Sequence, residues 1–341
     1  MSKAAELAAL IGSQSSLSNR NLIINGAMQV WQRGTSFSTG TSQAYTCDRW
    51  STASGSSFNY DATITRETDV PTGSGFNYCT KIAVDTVQTP TSLQNGGFHQ
   101  KLEQQDVLRL AYGSSSAKRL TLSFWVKSNK TGTYTIQLQQ NSGSGGTGNY
   151  FLKEYTINSS ATWEYKTLTF DGNTSQAFDV TSDADDALRV IWWHTVGSSD
   201  YGTLNAWTAS NSYVASSNQV NLFETAGNYW QITGVQLEVG EQATPFEHRS
   251  FGDELARCQR YYHQLQNNFW FHPVDTSTQY RRVNLEYPTT MRSLPTITIT
   301  LSASGSGSGI QYQSVSGITY YIDGISGAVR TDDTTKFDAE L

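Results

Sequence analysis

The residues best equipped for chemistry in this sequence are flat rings set among amides. Trp125 stands on the polar side of an otherwise alternating run, and Trp192, Trp193, Tyr201, Trp207 and Tyr213 crowd into a Gly- and Asn-rich stretch after Val190. Such rings stack on the apolar faces of pyranoses, while amide and carboxylate side chains satisfy the surrounding hydroxyls. These six are the candidate glycan-binding residues. Neighbours on a strand point to opposite sides, so one of Trp192 and Trp193 must face inward. Contacts between copies of the chain are the competing use for the other rings.

Catalytic chemistry has no comparable footing. His99, His194, His248, His263 and His272 show no HExxH or paired spacing, which argues against a metal catalyst. Asp183, Asp185 and Asp186 are near enough in sequence to share an oxygen-rich loop, so a structural calcium ion is a candidate there, set against a solvated acidic turn. Glycoside hydrolysis needs two carboxyl groups about 5 to 9.5 Å apart, and 29 acidic residues single out no pair. GxSxG is absent, and the Gly runs lack the Lys and the strand–helix setting of a phosphate loop. Cys47, Cys79 and Cys258 lack CxxC spacing and read as buried free thiols. A non-enzymatic protein without a cofactor is expected.

Composition sets what must position these residues. Of 341 residues 37% are hydrophobic and only 15% charged, with 9 Trp and 18 Tyr. That aromatic content excludes a disordered chain. A net charge of -6 argues against general nucleic-acid binding. No apolar run reaches the roughly 20 residues of a membrane-spanning helix, and Lys3 is followed by no signal-peptide core, so the usual secretory route is not expected.

Periodicity divides the chain. Leu7, Leu10 and Ile11 form a short helical stripe within an N-terminal segment, 1–20. From 21 to 250 the period is 2: Leu120, Leu122, Phe124 and Val126 alternate with Thr121, Ser123 and Trp125, and Tyr134, Ile136 and Leu138 with Thr135, Gln137 and Gln139. Tyr60 to Thr65, Ile82 to Val84, Tyr150 to Ile157, Trp163 to Phe170, Leu188 to Val196 and Tyr229 to Val239 are further extended runs. Short strands separated by Gly, Ser and Asn predict an antiparallel β-sandwich, a jelly roll of about eight strands. The period changes over Phe251 to Leu265, predicting a four-turn connecting helix within 251–266, with Asp253 and Glu254 at its positive end. The remainder, 267–341, reads as a small β domain with a flexible Ser302–Gly309 loop. At ~75 residues its core is marginal, so association between copies would help it.

Two stretches carry a resemblance. One is Asn21-Leu-Ile-Ile-Asn-Gly-Ala-Met-Gln-Val-Trp-Gln-Arg-Gly34 with Tyr45-Thr-Cys-Asp-Arg-Trp50. The other is Gly234-Val-Gln-Leu-Glu-Val-Gly240 with Ala243-Thr-Pro-Phe-Glu-His-Arg249 and Leu255-Ala-Arg-Cys-Gln-Arg-Tyr-Tyr262. They resemble tail-fibre and related virion appendage proteins of tailed bacteriophages, whose jelly-roll module is similar to carbohydrate-binding modules. Tyr287-Pro-Thr-Thr-Met-Arg-Ser-Leu-Pro-Thr296 is similar to a segment common in that group. The resemblance implies a homotrimer joined through its N-terminus to other virion proteins, with Leu7, Leu10 and Ile11 as attachment or trimer contacts. It also implies assembly in the host cytoplasm, display on the particle and adhesion to a host-surface glycan. Trp31 and Trp50 then pack the domain, and Arg33, Asp48 and Arg49 make local polar ties. A capsid or tail decoration protein is the alternative, and a glycan depolymerase a third.

Overall fold

A computed structural model describes residues 19–141, 148–178, 185–210, 214–265, 270–271, 281–299, 307–323, 329–330 and 335–341. The chain divides into two compact units, Met1–Arg249 and Ser250–Leu341. The N-terminal stripe expected at Leu7, Leu10 and Ile11 lies outside the described residues.

The first unit is an antiparallel β-sandwich. In chain order its strands are β1 (Ser36–Ser38), β2 (Trp50–Gly55), β3 (Ala62–Glu67), β4 (Cys79–Val84), β5 (Asn95–Glu103), β6 (Leu120–Ser128), β7 (Gly132–Gln140), β8 (Asn149–Ile157), β9 (Glu164–Phe170), β10 (Asp186–Val196), β11 (Trp207–Ala209) and β12 (Tyr229–Val239). A single-turn helix, α1 (Gln104–Val107), follows β5. Sheet one runs β1-β3-β4-β12-β6-β9 and sheet two β11-β8-β7-β10-β5-β2. The jelly roll expected from the alternation is present.

Side chains of period 2 fill the space between the sheets. Leu120, Leu122, Phe124 and Val126 of β6 and Ile136 and Leu138 of β7 are fully buried in one cluster with Trp50, Phe98, Trp192 and Trp230. Phe124 meets Trp192 edge-on at 5.6 Å, a favoured aromatic geometry that also locks the two sheets together. The three cysteines are free and buried.

The motif stretches of this unit, within 21–50 and 234–249, form a knot where its two ends of sequence meet. Asn25, in a left-handed conformation (φ 56°), accepts from the Gln29 and Val30 amides and donates to the Val30 and Asp48 carbonyls. A Cβ at Gly26 would sit 2.1 Å from the Val235 carbonyl oxygen, so only glycine permits that approach. Asp48 accepts from the Gln32 amide at 2.6 Å and faces Arg33 at 3.6 Å, while Trp50 is fully buried. Glu247 accepts from the Asn19 and Asn21 amides, and Arg249 donates to the Asn21 and Ile23 carbonyls. These stretches therefore hold the sandwich closed.

The second unit begins with α2 (Phe251–Gln259), capped by the Ser250 hydroxyl accepting from the Asp253 amide at 3.1 Å. The helix ends one and a half turns sooner than its periodicity predicted. Tyr262–Leu265 leaves it as β13 and pairs with β20 (Thr335–Asp338), so long-range ladder bonds override local helical spacing. The other elements are β14 (Trp270–Phe271), β15 (Arg281–Glu286), β16 (Thr296–Thr298), β17 (Gly307–Gln313), β18 (Gly317–Asp323) and β19 (Val329–Arg330). Gly307–Gly309, expected in a loop, open β17 against β18, because backbone pairing needs no side chains. Tyr287, Met291, Ile318 and Phe337 make the small core.

Candidate functional site

β10 decides which rings can face a ligand. Trp192 points inward with none of its surface exposed, 5.5 Å from the Trp50 ring, so stacking on a sugar is closed to it. Trp193 points outward from sheet two, where Ile191, Val214 and Ala215 pack around it and leave it 4% exposed. Its Nε1 donates to Gln137 Oε1 at 3.0 Å on the neighbouring β7. Gln219 fixes the same region from the far side, accepting from the Thr135 amide at 2.7 Å and donating to the Trp193 carbonyl at 3.1 Å.

Beside Trp193 the outer face of sheet two sinks into a recess of about 170 Å³. One wall is apolar, from Ala53, Ile191, Trp193 and Val214. The remainder is polar: Asn95, Gln137 and Gln139 offer amides, and Lys101 and Arg189 offer cations. The volume lies well under the roughly 300–1,000 Å³ of drug-sized ligand sites, which suits a single ring or a side group. Cross-strand register places these groups together, since Gln137 stands opposite Ile191 and Ile191 opposite His99.

His99 lies in the recess at 5% exposure. Gln43 Nε2 donates to Ser51 Oγ at 3.1 Å, and Ser51 Oγ lies 3.1 Å from His99 Nε2. Which of these two atoms donates depends on the ring's tautomer. Nδ1 is buried and has no hydrogen-bond partner. Burial, and then the charges of Lys101, Arg189 and Arg49, hold the imidazole well below its ordinary value, so it stays neutral. Arg189 is steadied by Asp186, its ion-pair partner. At the end of β5, Asn95 donates to Asp200 at 2.8 Å, and burial raises that carboxyl above its ordinary value despite the Asn95 bond.

Of the remaining candidates, Tyr201 borders the Trp193 cluster through Ala215, and Trp125 and Trp207 lie elsewhere. Trp125 is half-buried on the outer face of sheet one, its ring 5.3 Å from Tyr165, which is 46% exposed. Tyr201 is exposed and bridges to Ala215. Trp207 packs edge-on to Tyr112 and Phe151, and its Nε1 donates to the Asp171 carbonyl at 2.6 Å, which gives it a structural task. Tyr213 and Asp183 lie outside the described residues, and Asp186 is committed to Arg189. Among the described residues no three His, Cys, Asp or Glu side chains converge as a metal site. His194 sits in the core with Nδ1 2.6 Å from the Tyr60 hydroxyl, and burial lowers its pKa to about 3.

Of the described rings expected to bring a ligand in, Trp193 lines the recess and Trp125, Trp192 and Trp207 do not, and the recess is built chiefly from residues without a sequence motif. Asn95, His99 and Lys101 lie on β5, which alternation alone misses. Gly96 and Gly97 interrupt it. A Cβ at Gly97 would stand 2.6 Å from the Trp192 carbonyl oxygen and 2.9 Å from the Trp193 ring, so the glycine marks close packing inside a strand.

No family model matches the chain, and no curated protein sequence matches it. Solved structures are similar over about three-fifths of the chain. The enzymatically active domain of bacteriophage CBA120 tailspike protein 4 is 16% identical over 64% of this chain and 21% of its own, with a TM-score of 0.35. The chain therefore spans about a fifth of that tailspike chain. The CBM22-2 xylan-binding domain of Paenibacillus barcinonensis Xyn10C is 12% identical over 60% of this chain and 99% of its own, at a TM-score of 0.33. A family 11 carbohydrate-binding module from Clostridium thermocellum, in complex with a β-1,3-1,4-mixed-linked tetrasaccharide, is 14% identical over 62% and 100%, at 0.28.

Proposed function

We propose that this chain is a non-catalytic adhesion subunit of a phage particle, whose sandwich holds a host-surface glycan in the recess on the outer face of sheet two. The observation that carries the reading is the composition of the recess: an apolar wall at Trp193 and Ile191 faces the amides of Asn95, Gln137 and Gln139. A pyranose has the same division, with C–H faces for the wall and hydroxyls for the amides. No carboxylate lines the recess among the described residues, which supports holding a glycan without cleaving it. The particle setting rests on the resemblance of 21–50 and 234–262 to virion appendage proteins. Attachment then falls to the N-terminal segment with Leu7, Leu10 and Ile11, and the subunit acts as a homotrimer. A single small recess binds weakly; three linked copies raise avidity by about 10² to 10⁴ where geometry lets them engage together.

The test is a glycan array probed with the full chain, beside Trp193→Ala and Gln137→Ala variants whose melting shows them folded, with sedimentation equilibrium for the oligomer. Binding that falls at least tenfold in both variants, from a trimer, supports the reading. Undiminished binding in Trp193→Ala, no ligand on the array, or a monomer at micromolar concentration overturns the corresponding part.

A further inference from the structure

The recess has a charge that the whole chain does not share. The protein carries 29 acidic and 23 basic residues. The charged side chains lining the recess are Lys101 and Arg189, both cations. The charges acting on His99 from around the ring, Lys101, Arg189 and Arg49, are likewise all positive. Of the two lining cations, Arg189 is paired with Asp186. Beside the cations in the same lining lies the neutral His99 ring, whose buried Nδ1 has no hydrogen-bond partner.

Resting on the reading of the recess as a glycan site, we propose that its ligand is an acidic sugar, whose carboxylate lies between Arg189 and Lys101. The geometry has two features a neutral sugar would not use. Arg189 presents a planar fork that suits a carboxylate, and its placement on β10, one step along the outer face from Ile191, puts that fork at the edge of the apolar wall. Gln139 accepts from Arg189 at 3.5 Å, the limit of a hydrogen bond, so the guanidinium can turn toward a stronger acceptor. Stacking against Trp193 is limited by that ring's burial, and charge-assisted bonds supply what an exposed platform would otherwise provide.

The experiment is calorimetric titration of the full chain with acidic oligosaccharides, galacturonate and glucuronate tetramers, and with the same tetramers reduced at C6 to neutral sugars. The expected result is binding of an acidic tetramer, at least tenfold loss on reduction, and loss of that difference in Arg189→Gln. Because Arg189 also pairs with Asp186, Lys101→Gln and a salt titration from 50 to 300 mM serve as further readouts, each expected to weaken the acidic ligand alone. Equal binding of acidic and reduced tetramers, lost in Trp193→Ala, would overturn the acidic ligand and leave the glycan site standing. Acidic tetramers that bind independently of Trp193, Arg189 and Lys101 would overturn both, as would no binding by any tetramer.

Discussion

Replacing Glu247 by Gln removes one charge from the knot that joins the two ends of the sandwich. In the native unit the carboxylate accepts from the Asn19 amide at 2.7 Å and the Asn21 amide at 2.9 Å, and Arg249 lies 3.1 Å away. Burial alone would raise its pKa. The Asn21 amide, the Arg249 charge and the Asn19 and Arg20 amides outweigh that and hold it below the ordinary 4.5. Bonds to a charged group contribute about 1.5–3 kcal/mol and neutral ones about 0.5–1.5, so three contacts at a partly solvated carboxylate lose about 2 kcal/mol in the amide variant. For a unit of this size that is a fall in Tm of about 4–8 °C. Tryptophan fluorescence reports the transition of this unit, since eight of the nine tryptophans precede residue 250. The sign with pH follows from the depressed value: the stabilisation is fully present above the unfolded pKa and is lost as pH falls through the folded one. Wild type and E247Q should differ at pH 7 and converge as pH falls below the ordinary glutamate range, once the native carboxylate is protonated. Equal melting at pH 7, or a gap that persists in acid, would refute the role given to the carboxylate.

Trp207→Ala should lower stability by roughly 2–3 kcal/mol, somewhat under the 3–5 of a fully buried Trp, because it removes contacts to Tyr112 and Phe151; thermal melting checks this, and the glycan affinity of the folded fraction should be unchanged. Gly97→Ala places a methyl against the Trp192 carbonyl and the Trp193 ring, an overpacking worth about 1–3 kcal/mol. It should also weaken glycan binding in calorimetry by shifting the wall of the recess; a variant that melts and binds like wild type would show that the strand relaxes freely.

The strands legible in advance are those with long, uninterrupted alternation. Leu120 to Val126 and Tyr134 to Gln139 read plainly because their inner positions are aliphatic or aromatic and their outer ones mostly polar. β5 reads poorly for a physical reason: its inner positions include Gly96 and Gln100. Gln100 is buried to bond both backbone groups of Ile24, at 2.8 and 2.7 Å, and a Cβ at Gly96 would meet the Phe58 and Tyr60 rings at 2.8 Å. A strand that serves as a socket for other parts of the fold loses its own hydrophobic signature. The site suffered most from this, since His99 and Lys101 lie there. Trp192 and Trp193 show the converse, for alternation required one ring to be inside but only the register with β5 and β7 says which.

That division between inner and outer positions separates what the fold needs from what the ligand needs. Asn21, Asn25, Gly26, Glu247 and Arg249 spend their bonding on one another and on the chain ends, and none lines the recess. The recess uses outward positions of β5, β7 and β10, where a side chain can change without disturbing Phe98, Ile136, Leu138, Val190 or Trp192 within. On the proposed reading, two chains could share the closing knot and sandwich while holding different sugars. On that reading, the pattern of Gln137, Gln139, Lys101, His99 and Arg189 is where specificity is to be sought. In this chain that pattern joins two amides to two cations, the set on which the proposed acidic sugar rests.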